Sequence, residues 1–187
     1  RAAGTSAERV AVQCVHQHNA PCAWPEADRI VRAQKTLPPI MDPAHFKTCL
    51  ERGKEALGRA LRRPRRVTHV ATGQARVDRV ASNRRVHRNA AGRVSRNRHS
   101  RCTDPKLCAL PEGKIDPWLK TVALYDGESK VLACHYYATH PMSYYGDGRV
   151  TSDFAGLARK RRQVAEPGCH HIYFTGCAGD LAAGKYN

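Results

Sequence analysis

The fold is decided by residues 118–138, which read WLKTVALYDGESKVLACHYYA. Both halves are rich in β-branched and aromatic residues, and Asp126-Gly127 between them is typical of a tight turn. We therefore predict a β-hairpin with strands at 118–125 and 130–138.

The segments around this hairpin alternate between helical and strand-like patterns. After Asp42-Pro43, Phe46, Leu50 and Leu57 recur at helical spacing, which predicts a capped amphipathic helix. Further helices are predicted at 25–34 and 153–163, and further strands at 9–16, 67–80 and 171–175. This pattern indicates an α/β fold with a mixed β-sheet flanked by helices. We expect the 187 residues to form an incomplete single domain, a part of a larger protein.

Charge is the most unusual feature of the composition. The chain has 32 Lys and Arg against 16 Asp and Glu, a net charge of +16. Residues 84–101 contain seven arginines and no acid, and residues 159–162 are four consecutive cations. Such clusters favour an anionic partner, which could be nucleic acid, an anionic substrate or an anionic surface. The simpler explanation, which we prefer, is a solvated basic face or a surface that meets an acidic part of the same protein. Residues 82–116 show no periodicity and are predicted to be a long basic loop.

The eight cysteines have irregular spacing and include no Cys-x-x-Cys motif. This pattern favours buried free thiols over disulfides or a zinc ribbon, and with them a cytoplasmic location. No run of 18 apolar residues occurs, so no membrane-spanning helix is predicted.

Histidines end two of the predicted strands. His16 and His18 are two residues apart and would share one face of a strand. His140 ends the second strand of the hairpin, where Pro141 favours an extended backbone. Imidazoles converging at strand ends predict a zinc site, whereas the simpler alternative is hydrogen bonding to loop carbonyls. His135, in mid-strand, is assigned that simpler role, and His170 and His171 have no ligand spacing.

A glycine-containing turn follows the last strand, in the sequence FTGCAGD at 174–180. Glycines allow a ligand to approach the backbone closely, although an ordinary strand-exit turn has the same composition. Neither a phosphate-binding loop nor a Gly-x-Ser-x-Gly elbow is present.

Taken in order, these motifs resemble the N-terminal catalytic domain of the neutral/alkaline non-lysosomal ceramidase family. The sequence VHQHNAP at 15–21 is similar to the family's Thr-His-Thr-His-Ser-Gly-Pro, and the Ala-Gly-Asp at 178–180 is similar to its Ala-Gly-Asp turn. Weaker similarities lie between them, at 82–84, 116–122, 136–140 and 151–156.

The resemblance implies roles for six residues. His16 and His140 would be zinc ligands, and His18 would contact the substrate or the attacking water. Arg84 would hold the polar head of the substrate or the oxyanion, and the family's turn places substrate contacts at Gly179 and Asp180. The family's remaining ligands, a glutamate and a tyrosine, are expected outside these 187 residues, so the chain alone is expected to be inactive.

The resemblance implies a zinc-dependent amide hydrolase that cleaves N-acyl linkages, with ceramide-like lipids giving a sphingoid base and a fatty acid. Ala182 stands where the family has a serine, which favours zinc-activated water over a serine nucleophile. Two alternatives stay open. One is a non-catalytic ceramidase-like protein. The other is a nucleic-acid-binding module, which is disfavoured because no aromatic residue lies among the arginines at 84–101.

Overall fold

The structure, a computed structural model, describes residues 4–187. Its contacts divide the described chain into two units. One unit comprises residues 4–12 and 20–65, and the other comprises residues 13–19 and 66–187. The predicted α/β class with a mixed sheet is confirmed.

The smaller unit is helical. It has a 3-10 turn at Ala7–Arg9 and two helices, α1 (Pro25–Ala33) and α2 (Pro43–Leu61). Both predicted helices are confirmed. The carboxylate of Asp42 accepts hydrogen bonds from the N–H groups of Ala44 and His45, which satisfies donors that the first turn of α2 leaves free.

A four-stranded sheet forms the larger unit. Its strands are β1 (His69–Arg76), β5 (Trp118–Asp126), β6 (Ser129–Tyr137) and β7 (His170–Thr175), adjacent in that order. The hairpin β5–β6 is antiparallel as predicted, and Gly127 takes a φ of +57° in its turn, a conformation that glycine adopts at low cost. Strand β1 pairs antiparallel with β5, whereas β7 runs parallel to β6.

The parallel pair requires a crossover, which helix α4 (Asp153–Ala165) supplies. α4 packs against β7 on one face of the sheet. The buried core on this side includes Tyr137, Ala155 and Tyr173. The predicted helix at 153–163 and strand at 171–175 are therefore confirmed within one or two residues.

The stretch predicted as a basic loop, 82–116, contains short regular elements. They are β2 (Ser82–Asn83), β3 (His87–Arg88), β4 (Val94–Arg96) and the one-turn helix α3 (Pro105–Ala109). β3 pairs with β4, and β2 pairs with β8 (Leu181–Ala182). Arg98 organises this stretch from inside, because its buried guanidinium donates to five backbone carbonyls, those of Asn83, Leu107, Leu110, Pro111 and Glu112.

Two sequence-based expectations are wrong. The predicted strand at 9–16 does not form: Ala7–Arg9 is a 3-10 turn, and residues 10–17 have no regular structure. Val12 is 93% exposed, so the β-branched residues that suggested a buried strand have no partner strand to cover them.

All eight cysteines are free as expected, but the thiols of Cys14, Cys22, Cys49 and Cys177 are exposed rather than buried. Within residues 4–187, no helix is both long enough and apolar enough to span a membrane.

Candidate metal centre

Three histidines from two distant parts of the sequence meet in the larger unit. The ring centroid of His16 lies 4.8 Å from that of His18 and 5.1 Å from that of His140. One nitrogen from each ring lies within 4.8 Å of the others, so the three imidazoles could hold a metal ion. The structure therefore brings together the two predicted zinc ligands and the residue predicted beside them.

The segment that carries His16 and His18 is held without a strand. The Thr175 hydroxyl at the end of β7 donates to the carbonyl of Val15 at 2.5 Å. At the other end of the segment, the side-chain nitrogen Nδ2 of Asn19 donates to the carbonyls of Tyr144 and Arg149. His16 itself has a φ of +65°, a left-handed conformation that few residues other than glycine adopt. The two histidines thus converge through a turn at His16, and the predicted strand alternation is not the cause.

His140 is the buried member of the group, with 7% of its surface exposed. Its Nδ1 lies 2.9 Å from the carbonyl oxygen of Leu181 in β8. Because a carbonyl can only accept, the neutral ring carries its proton on Nδ1 and leaves the lone pair on Nε2. Histidines that bind metals have this arrangement, in which the second nitrogen donates to a carbonyl or carboxylate. The donor set therefore fits a metal ion such as zinc, which binds neutral imidazole.

His18 faces several charged neighbours. Partial desolvation lowers the pKa of its imidazole, and the nearby His16, His140 and Arg84 lower it further, while Asp153 acts in the opposite direction. A lowered pKa keeps the ring neutral near pH 7, the form that a metal ion or a proton acceptor requires. The ring of Tyr145 packs edge-on against His18 at 5.7 Å between centroids.

Arg84 directly follows β2 and lies near the three histidines. The turn at 178–180, which leads into β8, holds it in place. Its backbone N–H donates to the carbonyl of Asp180, and one guanidinium nitrogen donates to the carbonyl of Gly179 at 2.5 Å. The Asp180 carboxylate accepts a hydrogen bond from the Asn83 side chain at 2.7 Å. The polar groups of Gly179 and Asp180 that make these contacts hold Asn83 and Arg84 in place.

Sequence reasoning missed Asp153 as a site residue. It is fully buried, has a φ of +53°, and accepts a hydrogen bond from the Phe154 N–H at 2.7 Å. Its charge is close enough to raise the pKa of His18. The sequence signal is the Thr-Ser-Asp at 151–153, which predicts the start of a helix and forms part of the family resemblance but does not by itself indicate a site residue.

Sequence reasoning also missed a second cluster, on β6, β7 and the end of α4. Glu166, Cys169 and His171 form another group that could hold a metal ion. His135 Nε2 lies 3.0 Å from His171 Nδ1, with the two rings stacked. Glu166 is already paired with Lys130 at 2.9 Å and Arg162 at 2.7 Å, so a metal ion here would have to displace two cations. The cluster is therefore a poorer metal site than the three histidines.

Comparison with known proteins finds similarity in the fold. No family model matches the sequence, and no curated protein matches it. Among solved structures, neutral ceramidase from Pseudomonas aeruginosa matches with a TM-score of 0.56 and 17% identity, over 75% of this chain and 21% of that one. The fold is ceramidase-like. This chain spans about a fifth of the length of that ceramidase. A ceramidase complexed with C2 matches less well, with a TM-score of 0.43 and 17% identity over 60% of this chain and 16% of that one.

Proposed function

We propose that this chain carries part of the active site of a zinc-dependent amide hydrolase of the neutral-ceramidase type. The convergence of His16, His18 and His140, with Nε2 of His140 free to bind, is the observation that carries the proposal. The ceramidase-like fold supports the same class of reaction. The substrates would be N-acyl lipids or other small amides, cleaved at the acyl–nitrogen bond.

His16 and His140 would hold the zinc ion, together with the glutamate and the tyrosine that the family resemblance implies outside residues 1–187. Zinc, when bound, supplies Lewis acidity toward water and toward the carbonyl of an amide. Neither ring nitrogen of His18 makes a hydrogen bond within residues 4–187. One of them can therefore accept the proton of the attacking water and return it to the nitrogen of the leaving amine.

Arg84 would act on the carbonyl side of the substrate. One of its nitrogens is committed to the carbonyl of Gly179, which fixes the plane of the guanidinium. The remaining N–H groups can donate to the oxygen on which negative charge develops, or to a polar headgroup. Gly179 and Asp180 would contribute by holding this arginine, and substrate contacts from the same turn remain part of the proposal.

Two contacts weigh against the nucleic-acid alternative. Arg98 is buried and spends its donors on carbonyls, and Arg96 is paired with Asp104. Part of the arginine-rich stretch is therefore used inside the fold and is not available to phosphates.

The nucleophile is the remaining question for the hydrolase. Ala182 is buried in β8 and offers no hydroxyl, which supports water as the nucleophile.

The test is hydrolysis of a fluorescently labelled ceramide by the expressed protein that contains residues 1–187, loaded with zinc. We expect labelled fatty acid to be released, and His18→Gln and Arg84→Gln to reduce kcat/KM by about 100-fold or more while zinc content is kept. His87→Gln and Arg88→Gln serve as matched controls. A zinc-loaded protein that cleaves no N-acyl amide would overturn the proposal and favour the non-catalytic alternative.

A further inference from the structure

A separate apolar cavity lies between α4 and the sheet in the larger unit. Its volume is about 520 Å³, within the usual range for small-molecule sites of about 300–1,000 Å³. None of the three clustered histidines lines it. Its apolar walls come from β5, β6, β7, α4 and the segment after β1, with the side chains of Val77, Val80, Leu119, Tyr137, Phe154 and Tyr173.

One end of this cavity is cationic. Lys130, Arg159 and Arg162 all line it. Lys130 and Arg162 both contact the carboxylate of Glu166, so they lie at the same end, and Glu166 balances only one of the three positive charges. Arg159 donates from Nε to the carbonyl of His171, and it pairs with no carboxylate within residues 4–187. An excess of positive charge therefore remains at an apolar cavity.

The other end is apolar and distant. Lys130 and Tyr137 are seven residues apart on β6, about 23 Å at roughly 3.3 Å per residue. On α4, Phe154 and Arg162 are separated by about 12 Å at roughly 1.5 Å per residue. The cavity is therefore elongated, with aromatic side chains at one end and cations at the other. Such a shape suits an amphiphile with one anionic group.

We propose that this cavity binds a free long-chain carboxylate, such as a fatty acid. Its alkyl chain would lie along Leu119 and Tyr137 toward Phe154, and its carboxylate would meet the cations, with Arg159 as the main partner. The guanidinium of Arg159 can donate to a carboxylate from the nitrogens that its bond to His171 leaves free. The proposal does not rest on the hydrolase reaction, because it requires neither zinc nor the histidine group.

The test is a fluorescence titration of the chain with cis-parinaric acid, in the presence of EDTA, with its methyl ester as the uncharged comparison. We expect saturable binding of the acid and at least tenfold weaker binding of the ester. Arg159→Gln should weaken binding of the acid by about tenfold, and Arg159→Lys should restore most of it. Lys160→Gln, which removes a neighbouring charge that does not line the cavity, should leave binding unchanged.

The alkyl part is tested by filling the cavity. Ala158 lines it from an exposed position on α4, so Ala158→Trp should block binding, whereas Leu157→Trp on the neighbouring surface should not. Circular dichroism confirms that each variant is folded. Equal binding of acid and ester would show an apolar pocket without a carboxylate site and would overturn the proposal. Binding that survives Ala158→Trp, or no saturable binding, would overturn it as well. Because EDTA is present throughout, none of these outcomes bears on the zinc hydrolase.

Discussion

Replacing the buried Arg98 with methionine should destabilise the larger unit more than any other single arginine substitution in residues 84–101. Its guanidinium is fully buried and donates to five carbonyls, which come from Asn83 and from residues 107–112. Arg98→Met keeps much of the side-chain volume but removes every donor. All five acceptors then lose a partner inside the protein.

The magnitude follows from these acceptors. Two of the five carbonyls keep another donor, because Leu110 also accepts from Lys185 Nζ and Glu112 also accepts from the Asn83 N–H. A buried group left without a partner costs about 1–3 kcal/mol, so the other three carbonyls together would cost about 3–9 kcal/mol. Part of this cost is offset because no charge has to be desolvated, and burial already lowers the pKa of Arg98. We therefore expect the free energy of unfolding to fall by about 3–5 kcal/mol, a large share of the roughly 5–15 kcal/mol that stabilises a typical domain.

Urea denaturation followed by circular dichroism measures this loss. The matched control is Arg88→Met in the same stretch, whose guanidinium makes one exposed hydrogen bond to Gly92 and should change stability by no more than about 0.5 kcal/mol. Because Arg98 holds the carbonyl of Asn83, its loss should also loosen Arg84 and the β2–β8 pair that supports His140. If both variants unfold at the same urea concentration, the internal role assigned to Arg98 is wrong.

Two further predictions concern packing and pH. A Cβ at Gly184 would overlap the carbonyl oxygen of His99, so Gly184→Ala should lower the free energy of unfolding by about 1–3 kcal/mol in urea denaturation. Gly168→Ala, with open space around the added carbon, should be near neutral, and equal effects would contradict the packing. Burial lowers the pKa of both His135 and His171; Arg162 and Lys130 lower it further, and Glu166 opposes them. In the unfolded chain both rings bind protons at a higher pH, near 6.5, so stability should fall as the pH drops below about 6.5. A thermal melting series from pH 7.5 to 5 should show this loss, and His171→Gln should make it shallower, whereas an unchanged slope would refute the assignment.

The main sheet and helices could be predicted because each has a local signal. The hairpin at 118–138 is rich in β-branched and aromatic residues and has an Asp-Gly turn, and α2 has a capping aspartate and helical spacing. The segment 9–16 has the composition of a strand but no neighbour with which to pair, and pairing is a tertiary property that a single segment does not encode. The elements within 82–116 depend on Arg98, whose carbonyl partners lie up to 15 residues away.

The candidate site was predicted in its residues and not in its geometry. His16, His18 and His140 were selected from their positions near strand ends, yet His16 reaches the group through a positive φ. Two features of the site could not be predicted: the position of Asp153 near His18, and the pairing of His135 with His171. Both depend on the crossover through α4, which brings distant parts of the sequence together. A parallel register that sets His171 opposite Ala133, near His135, cannot be read from either strand alone.

Zinc binding by His16 and His140 is the central claim, and isothermal titration of the protein that contains residues 1–187 with zinc tests it most directly. The account predicts one zinc ion per chain, with affinity at least tenfold weaker in His16→Ala and in His140→Ala. The exposed His45→Ala should bind as the unmodified chain does, and Cys169→Ser should also be unchanged because its cluster is already occupied by Lys130 and Arg162. Absence of zinc binding, or binding lost in Cys169→Ser and kept in His140→Ala, would contradict the account.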